Sequence, residues 1–177
     1  MRAFVAVDLP SNGPTGPAEP APSAPPHFTV LFLGEVPDAR VARFAQALST
    51  RVRSLPPFAL ALGDVGAFPS NDRPRVVFRR VSVGAESLER LASVSRAVAA
   101  SEGLPFDGRP FVPHLTILRV RRPQDEGRAR RLLEEPPTEG EPWMVNEVLV
   151  KESRLGPSGP VHRVVQRCPL VGAGVPG

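Results

Sequence analysis

Cysteine occurs once in the 177 residues, at position 168, lysine once, at position 151, and tyrosine not at all. A single cysteine excludes an intrachain disulfide framework and a multi-cysteine zinc site, and it suits a reducing compartment. A single lysine among 22 Lys+Arg (22 − 1) leaves 21 arginines. The guanidinium fork matches phosphate in a bidentate way that an ammonium does not. With a formal net charge of +4, this makes nucleic acid or another phosphate a reasonable partner. No segment approaches the ~20 apolar residues that span a bilayer, and Met1 to Pro10 lacks the long apolar stretch of a secretory signal. Glycine-rich phosphate loops, the dinucleotide fingerprint and the Gly-x-Ser-x-Gly elbow are all missing. The expectation is a soluble, cytoplasmic, monomeric chain that forms one domain over 1–177.

What is present reads as alternating strands and helices. Arg2 to Leu9, His27 to Leu33, Phe58 to Leu62, Arg75 to Val83, Pro110 to Val120, Trp143 to Leu155 and Val161 to Cys168 have strand character. Helices are expected from Asp38, as N-cap, to about Arg53, from Ser87 to Ala100, and in a short stretch from Arg128 to Glu135. The first buries Val41, Phe44, Ala45, Leu48 and Val52, and the second Leu88, Leu91, Val94 and Val98. Between Pro10 and Pro26, seven of 17 residues are proline, which predicts a polyproline-like or mobile loop. Pro69 to Pro74 and Gly156 to Pro160 read as turns. Interleaved strands and helices with hairpin connections favour α+β over a doubly wound parallel sheet.

An internal repeat is the most informative feature. Pro26-His27-Phe28-Thr29-Val30-Leu31 recurs as Pro113-His114-Leu115-Thr116-Ile117-Leu118, an offset of 87 residues (114 − 27). Two of the three histidines fall in these copies. Strand alternation puts His27 with Thr29, and His114 with Thr116, on one face of each strand. Two such strands from two similar lobes could aim two imidazoles and two hydroxyls into one cleft. In-line displacement at phosphorus needs a base for the nucleophile and an acid for the leaving oxygen. Imidazoles do both near neutral pH, and threonine hydroxyls can donate to the non-bridging oxygens without a metal.

At these residues the chain resembles the two-histidine phosphoesterases, and among them the RNA 2′,3′-cyclic phosphodiesterases once called 2′–5′ RNA ligases. Met1 to Pro10 resembles their opening strand, His27 to Gly34 the first motif, Arg73 to Phe78 the strand between, and Phe111 to Arg119 the second motif. Ser153, Leu155, Gly159 and Pro169-Leu170 sit where the family's C-terminal hairpin has similar residues. The resemblance implies two pseudo-symmetric lobes of mainly antiparallel sheet, with outer helices, around a central cleft. It implies metal-independent opening of an RNA 2′,3′-cyclic phosphate end to a 2′-phosphate without a cofactor, and reverse 2′–5′ ligation without ATP. A phosphodiesterase of small cyclic phosphates or 2′–5′ oligonucleotides, or a basic RNA-binding module without catalysis, are the alternatives. Two departures are evident: the Pro-rich segment stands where the family has a helix, and His162 where it often has tyrosine.

His27 and His114 are therefore the catalytic candidates, and Thr29, Thr116 and Arg119 the phosphate-binding ones. Strict alternation turns Arg119 away from His114, so its candidacy requires a twist or strand end there. His162 reads as an exposed strand histidine, with a place at the cleft rim as the alternative. A metal site built from the three histidines is disfavoured, because no His-x-His or His-x-x-x-His spacing supports it. Arg119, Arg121, Arg122, Arg128, Arg130 and Arg131 form one basic cluster, and Arg73, Arg75, Arg79 and Arg80 another. Either is an RNA track or a solvated basic face. Phe28 and Phe32 are expected on the core face, opposite the histidines.

Overall fold

The computed structural model describes residues 1–10, 26–137, 139–157 and 159–173. The Pro-rich loop expectation therefore lies almost wholly outside the described residues. Among them, eight strands and three helices follow in the order β1 (Arg2–Asp8), β2 (His27–Glu35), α1 (Asp38–Val52), β3 (Phe58–Pro69), β4 (Pro74–Val83), α2 (Ala85–Ser101), β5 (His114–Arg119), α3 (Pro123–Leu133), β6 (Trp143–Val145), β7 (Glu147–Gly156) and β8 (Gly159–Pro169). They form two four-stranded sheets, ordered β2-β1-β7-β8 and β5-β4-β3-β6, in which every pairing is antiparallel. Each motif strand occupies the edge of its own sheet, and β2 and β5 approach each other where the lobes meet. The architecture is the α+β, two-lobed one expected.

The first helix buries Val41, Phe44, Ala45, Leu48 and Val52, the five positions its spacing marks. In α2, Ser95 and Ala99 are buried while Val94 sits at the margin; the Ser95 hydroxyl is satisfied by donating to the Leu91 carbonyl at 2.8 Å. These helices cover the odd-numbered face of β1 (Ala3, Val5, Val7) together with Phe28, Val30, Val148 and Val150, forming the main core. The second sheet has a smaller cluster of its own, in which Ala129 of α3 packs with Ala67, Val77 and Leu118. Gly84, before α2, has φ near 87°, and a Cβ there would lie 2.2 Å from the Ala59 carbonyl oxygen. Only glycine allows the helix to start that close to β3.

Several boundaries differ from expectation for identifiable reasons. Asp38 is the first helical residue; Pro37 is the N-cap and makes no side-chain cap bond. The Trp143 to Leu155 stretch is two strands rather than one. It breaks at Asn146, so that β6 joins the second sheet and β7 the first. An apolar run cannot reveal which sheet pairs with which part of it. α3 starts five residues earlier than expected because Asp125 accepts from the backbone N–H groups of Arg121 and Arg122, at 3.0 and 2.8 Å, and satisfies the helix start. No helix among the described residues is long and apolar enough to cross a membrane.

Candidate active site

Cross-strand partners share a face, so the register tells which side chains stand together. In the first sheet Asp8 pairs with His27, Ala6 with Thr29 and Phe4 with Phe32. Across β7, Phe4 pairs with Lys151, which pairs with Val164 of β8, while Ser153 pairs with His162. Phe4, Ala6 and Asp8 are the even positions of β1, on the side turned away from the main core. The site face of the first lobe thus carries His27, Thr29, Phe32, Asp8, Phe4, Lys151 and His162.

The rings confirm this assembly. His27 lies edge-on to His162 with centroids 4.9 Å apart, and both rest on the Phe4 ring, at 5.4 and 4.8 Å. These histidines sit on opposite edges of a four-stranded sheet, β2 and β8. Flat, those edges would be roughly 14 Å apart at ~4.8 Å per strand. The sheet curls, and its concave face closes around Phe4. His162 is therefore not an exposed strand histidine; it is half-buried against His27. Burial chiefly, then the nearby His27 and Lys151, push its pKa down to about 4, with Asp8 opposing. Among the described residues its buried Nδ1 has no hydrogen-bond partner. Beneath this group, Lys151 is buried and donates to both oxygens of Asp8, at 2.5 and 2.7 Å.

In the second sheet Arg80 pairs with His114, Phe78 with Thr116 and Val76 with Arg119. The His114 ring stands edge-on to Phe68 and Phe78, at 5.3 and 5.6 Å, and those two rings stack at 4.3 Å. The Arg80 guanidinium lies 5.5 Å from the Phe78 centroid. A Cβ on Gly66 would fall 3.0 Å from Arg80 Nη2 and 3.1 Å from Phe78, so the missing side chain makes room for both. His114 Nδ1 is 2.6 Å from the Val112 carbonyl oxygen. A carbonyl only accepts, so Nδ1 carries the proton and a neutral His114 has its lone pair on Nε2.

Both motif strands carry an extra residue directly after the threonine. Val5 pairs with Leu31 while Ala6 pairs with Thr29, which leaves Val30 unpaired. Val77 pairs with Leu118 while Phe78 pairs with Thr116, which leaves Ile117 unpaired. A bulge switches the side of every residue beyond it. It brings Arg119 onto the face of His114 and Thr116, supplying the twist that its candidacy required. It also brings Phe32 onto the face of His27 and Thr29, which overturns the core expectation: Phe32 is 37% exposed, whereas Phe28 is buried as expected.

Other expectations need adjustment. Arg79 is not simply part of a solvated basic face; it is bound to Glu135 at 2.9 Å, tying β4 to the segment after α3. Arg122 pairs with Asp125 at 3.4 Å. Arg119, Arg121, Arg130 and Arg131 are exposed. Cys168 is buried, and burial raises its thiol to about 11, as suits a structural residue. Sequence reasoning missed Asp8, Lys151 and the aromatic supports Phe4, Phe68 and Phe78, and named Arg80 only as part of a basic cluster. The use of lysine only once, in so arginine-rich a chain, was a signal for Lys151. The others emerge only from strand pairing. Among the described residues no three His, Cys, Asp or Glu side chains gather as a metal-binding group.

Comparison with known proteins places this geometry. The model of the 2′-5′ RNA ligase superfamily matches residues 14–154. The chain is 33% identical to the RNA 2′,3′-cyclic phosphodiesterase of Thermus thermophilus, with 97% of this chain and 91% of that one covered. It is 34% identical to the protein of the same description from Archaeoglobus fulgidus, covering 92% and 97%. Among solved structures, TT0787 of Thermus thermophilus superposes with a TM-score of 0.74 at 29% identity, covering 98% of this chain and all (100%) of that one. Escherichia coli LigT complexed with 3′-AMP superposes at 0.71 and 27% identity, covering 96% and 98%. With four-fifths of its length inside the family match, and relatives of this identity over nearly all of it, the chain belongs to the 2′-5′ RNA ligase superfamily.

Proposed function

We propose that this chain, acting as one two-lobed domain over 1–177, is a hydrolase that opens the 2′,3′-cyclic phosphate at an RNA 3′ end and leaves a 2′-phosphate, using neither metal nor cofactor. The observation that carries this reading is the repeated histidine-x-threonine edge strand, with a bulge at the same position in both copies. The related phosphodiesterases support the substrate class. Water attacks phosphorus as the P–O3′ bond breaks. One imidazole takes a proton from the water, the other gives one to O3′, and exchange with solvent restores both. His114 fits the base, because its Nδ1–H is committed to a backbone carbonyl and its Nε2 is left as the acceptor. His27 is then the acid. Thr29, Thr116 and Arg119 hold the non-bridging oxygens. With a 5′-hydroxyl RNA in place of water, the same ring opening, the P–O3′ bond breaking as the 5′-O–P bond forms, gives a 2′–5′ linkage without ATP.

The chain acts as a cytoplasmic monomer in this reading. The deciding experiment supplies an RNA ended by a 2′,3′-cyclic phosphate, in excess chelator, and identifies the product phosphate. A 2′-phosphate at an undiminished rate is expected. A 3′-phosphate product, or activity that returns only with a divalent ion, overturns the mechanism. Binding without turnover would favour the non-catalytic RNA module instead.

A further inference from the structure

Strand pairing singles out one member of the basic cluster Arg73, Arg75, Arg79 and Arg80. Arg79 is held by Glu135, on the α3 side of the sheet. Arg80 is the cross-strand partner of His114 and shares its face. It is exposed, and among the described residues no carboxylate pairs with it. Its side chain is nevertheless seated. The Phe78 centroid is 5.5 Å from the guanidinium carbon and 5.6 Å from the His114 centroid. The fork continues over Gly66 of β3, where an added Cβ would meet Nη2 at 3.0 Å and Cζ at 3.3 Å. A guanidinium seated on an aromatic face, with its donors uncommitted, is arranged to take an anion in a bidentate way.

Position selects which anion it serves. The lobes meet along β2 and β5, so the phosphate between the two histidines lies at the β5 edge of the second sheet. Thr116 and Arg119 belong to that edge strand and are successive residues on its site face, which suits both to the reacting phosphate. Arg80 leans the other way, across β4 toward β3. Gly66 lies two strands in from the edge, roughly 10 Å at ~4.8 Å per strand. A guanidinium between β4 and β3 is therefore clear of the reacting phosphate by about the length of one nucleotide. A cyclic 3′ end has a further phosphate at that remove on one side only, on the 5′ oxygen of the same nucleotide. Building on the function proposed above, we infer that Arg80 binds this 5′ phosphate, the diester joining the last two nucleotides of the RNA, as a specificity residue apart from the reacting centre. It reads charge and not base, so the preference it confers is independent of sequence.

The test compares kcat/KM for adenosine 2′,3′-cyclic phosphate, for the same nucleotide carrying a 5′-phosphate, and for the dinucleotide ApA with the same cyclic end. Wild type should favour the two substrates with a 5′ phosphate by about 10- to 150-fold, the worth of one charge-assisted contact. Arg80→Gln should bring both ratios close to one. It should also make the rate on ApA less dependent on salt, since one phosphate contact is lost. Arg80→Lys keeps the charge without the fork and should retain part of both ratios. Wild-type ratios near one, or ratios unchanged in Arg80→Gln, overturn the inference. A preference for the 5′-phosphorylated mononucleotide that ApA does not share overturns the assignment to an RNA chain. The function proposed above is tested separately, by whether wild type opens any of the three.

Discussion

The two lobes share a strand and differ in what supports it. Each presents a histidine at the start of an edge strand, a threonine two residues on, and a bulge directly after it. Beneath His27 lie Phe4, a second histidine and a buried Lys151 paired with Asp8; beneath His114 lie two stacked phenylalanines and an exposed arginine. The residue across the ladder from His27 is Asp8, and from His114 it is Arg80, charges of opposite sign at equivalent places. The outer faces differ as well. Two long helices pack against a main core to which both sheets contribute, and the second sheet has in addition α3 and a small cluster of its own. What an in-line reaction needs twice is kept twice. The supports that differ lie outside the repeat.

The largest effect tests the shared part. His27→Ala and His114→Ala should each lower turnover by ~10²–10⁴-fold, the usual worth of a general acid or base. Their double mutant should fall short of the product of the two losses, because the pair works as a unit. Thr29→Ala and Thr116→Ala each remove one charge-assisted hydrogen bond, about 1.5–3 kcal/mol, or roughly 10- to 150-fold. Single-turnover rates on the cyclic-ended RNA measure all five. Full activity in one histidine variant, with the fold intact, would mean that the two copies do not share the reaction.

A second comparison separates the supports. Asp8→Ala leaves the Lys151 ammonium buried without its partner, and should cost about 3–5 kcal/mol. Arg80→Ala removes an exposed cation over a ring, worth about 0.5–1 kcal/mol. Denaturant midpoints at neutral pH give both differences. Lys151→Met should cost less than Asp8→Ala, since the carboxylate it strands is 32% exposed and can be hydrated. Equal losses at Asp8 and Arg80 would erase the distinction between the two supports.

The same division explains what could be read without coordinates. The α+β class, the faces of α1 and the two motif strands follow from local periodicity and one repeated hexapeptide. Local pattern does not encode partners. Lys151 reaches Asp8 across 143 residues of sequence, and nothing near either position announces the other. The bulges were hidden for a related reason. Strict alternation is the only rule a strand sequence offers, and it predicts the wrong side for Phe32 and Arg119, both beyond the extra residue. The break at Asn146 separates two strands within one apolar run, and only sheet pairing shows it.

The smallest effect isolates His162. Its folded pKa is near 4, against an ordinary value of 6.5, because burial and the neighbouring His27 and Lys151 disfavour its charged form. Between those values the unfolded chain binds a proton that the folded chain refuses. Stability therefore rises with pH across this window; the contribution is complete above about 6.5 and is lost as pH falls through about 4. In His162→Phe the proton-binding group is gone, and the ring that replaces it resembles the Phe68 contact already used beneath His114. Melting temperatures between pH 7 and pH 4 should fall less steeply in this variant than in wild type, with the difference confined below pH 6.5. The orphaned Nδ1 is removed as well, so the variant should be at least as stable at neutral pH. Parallel pH profiles would mean that His162 takes up its proton inside the fold. The first lobe would then carry a charged imidazole beside His27, and the contrast with the apolar support of His114 would be one of charge as well as packing.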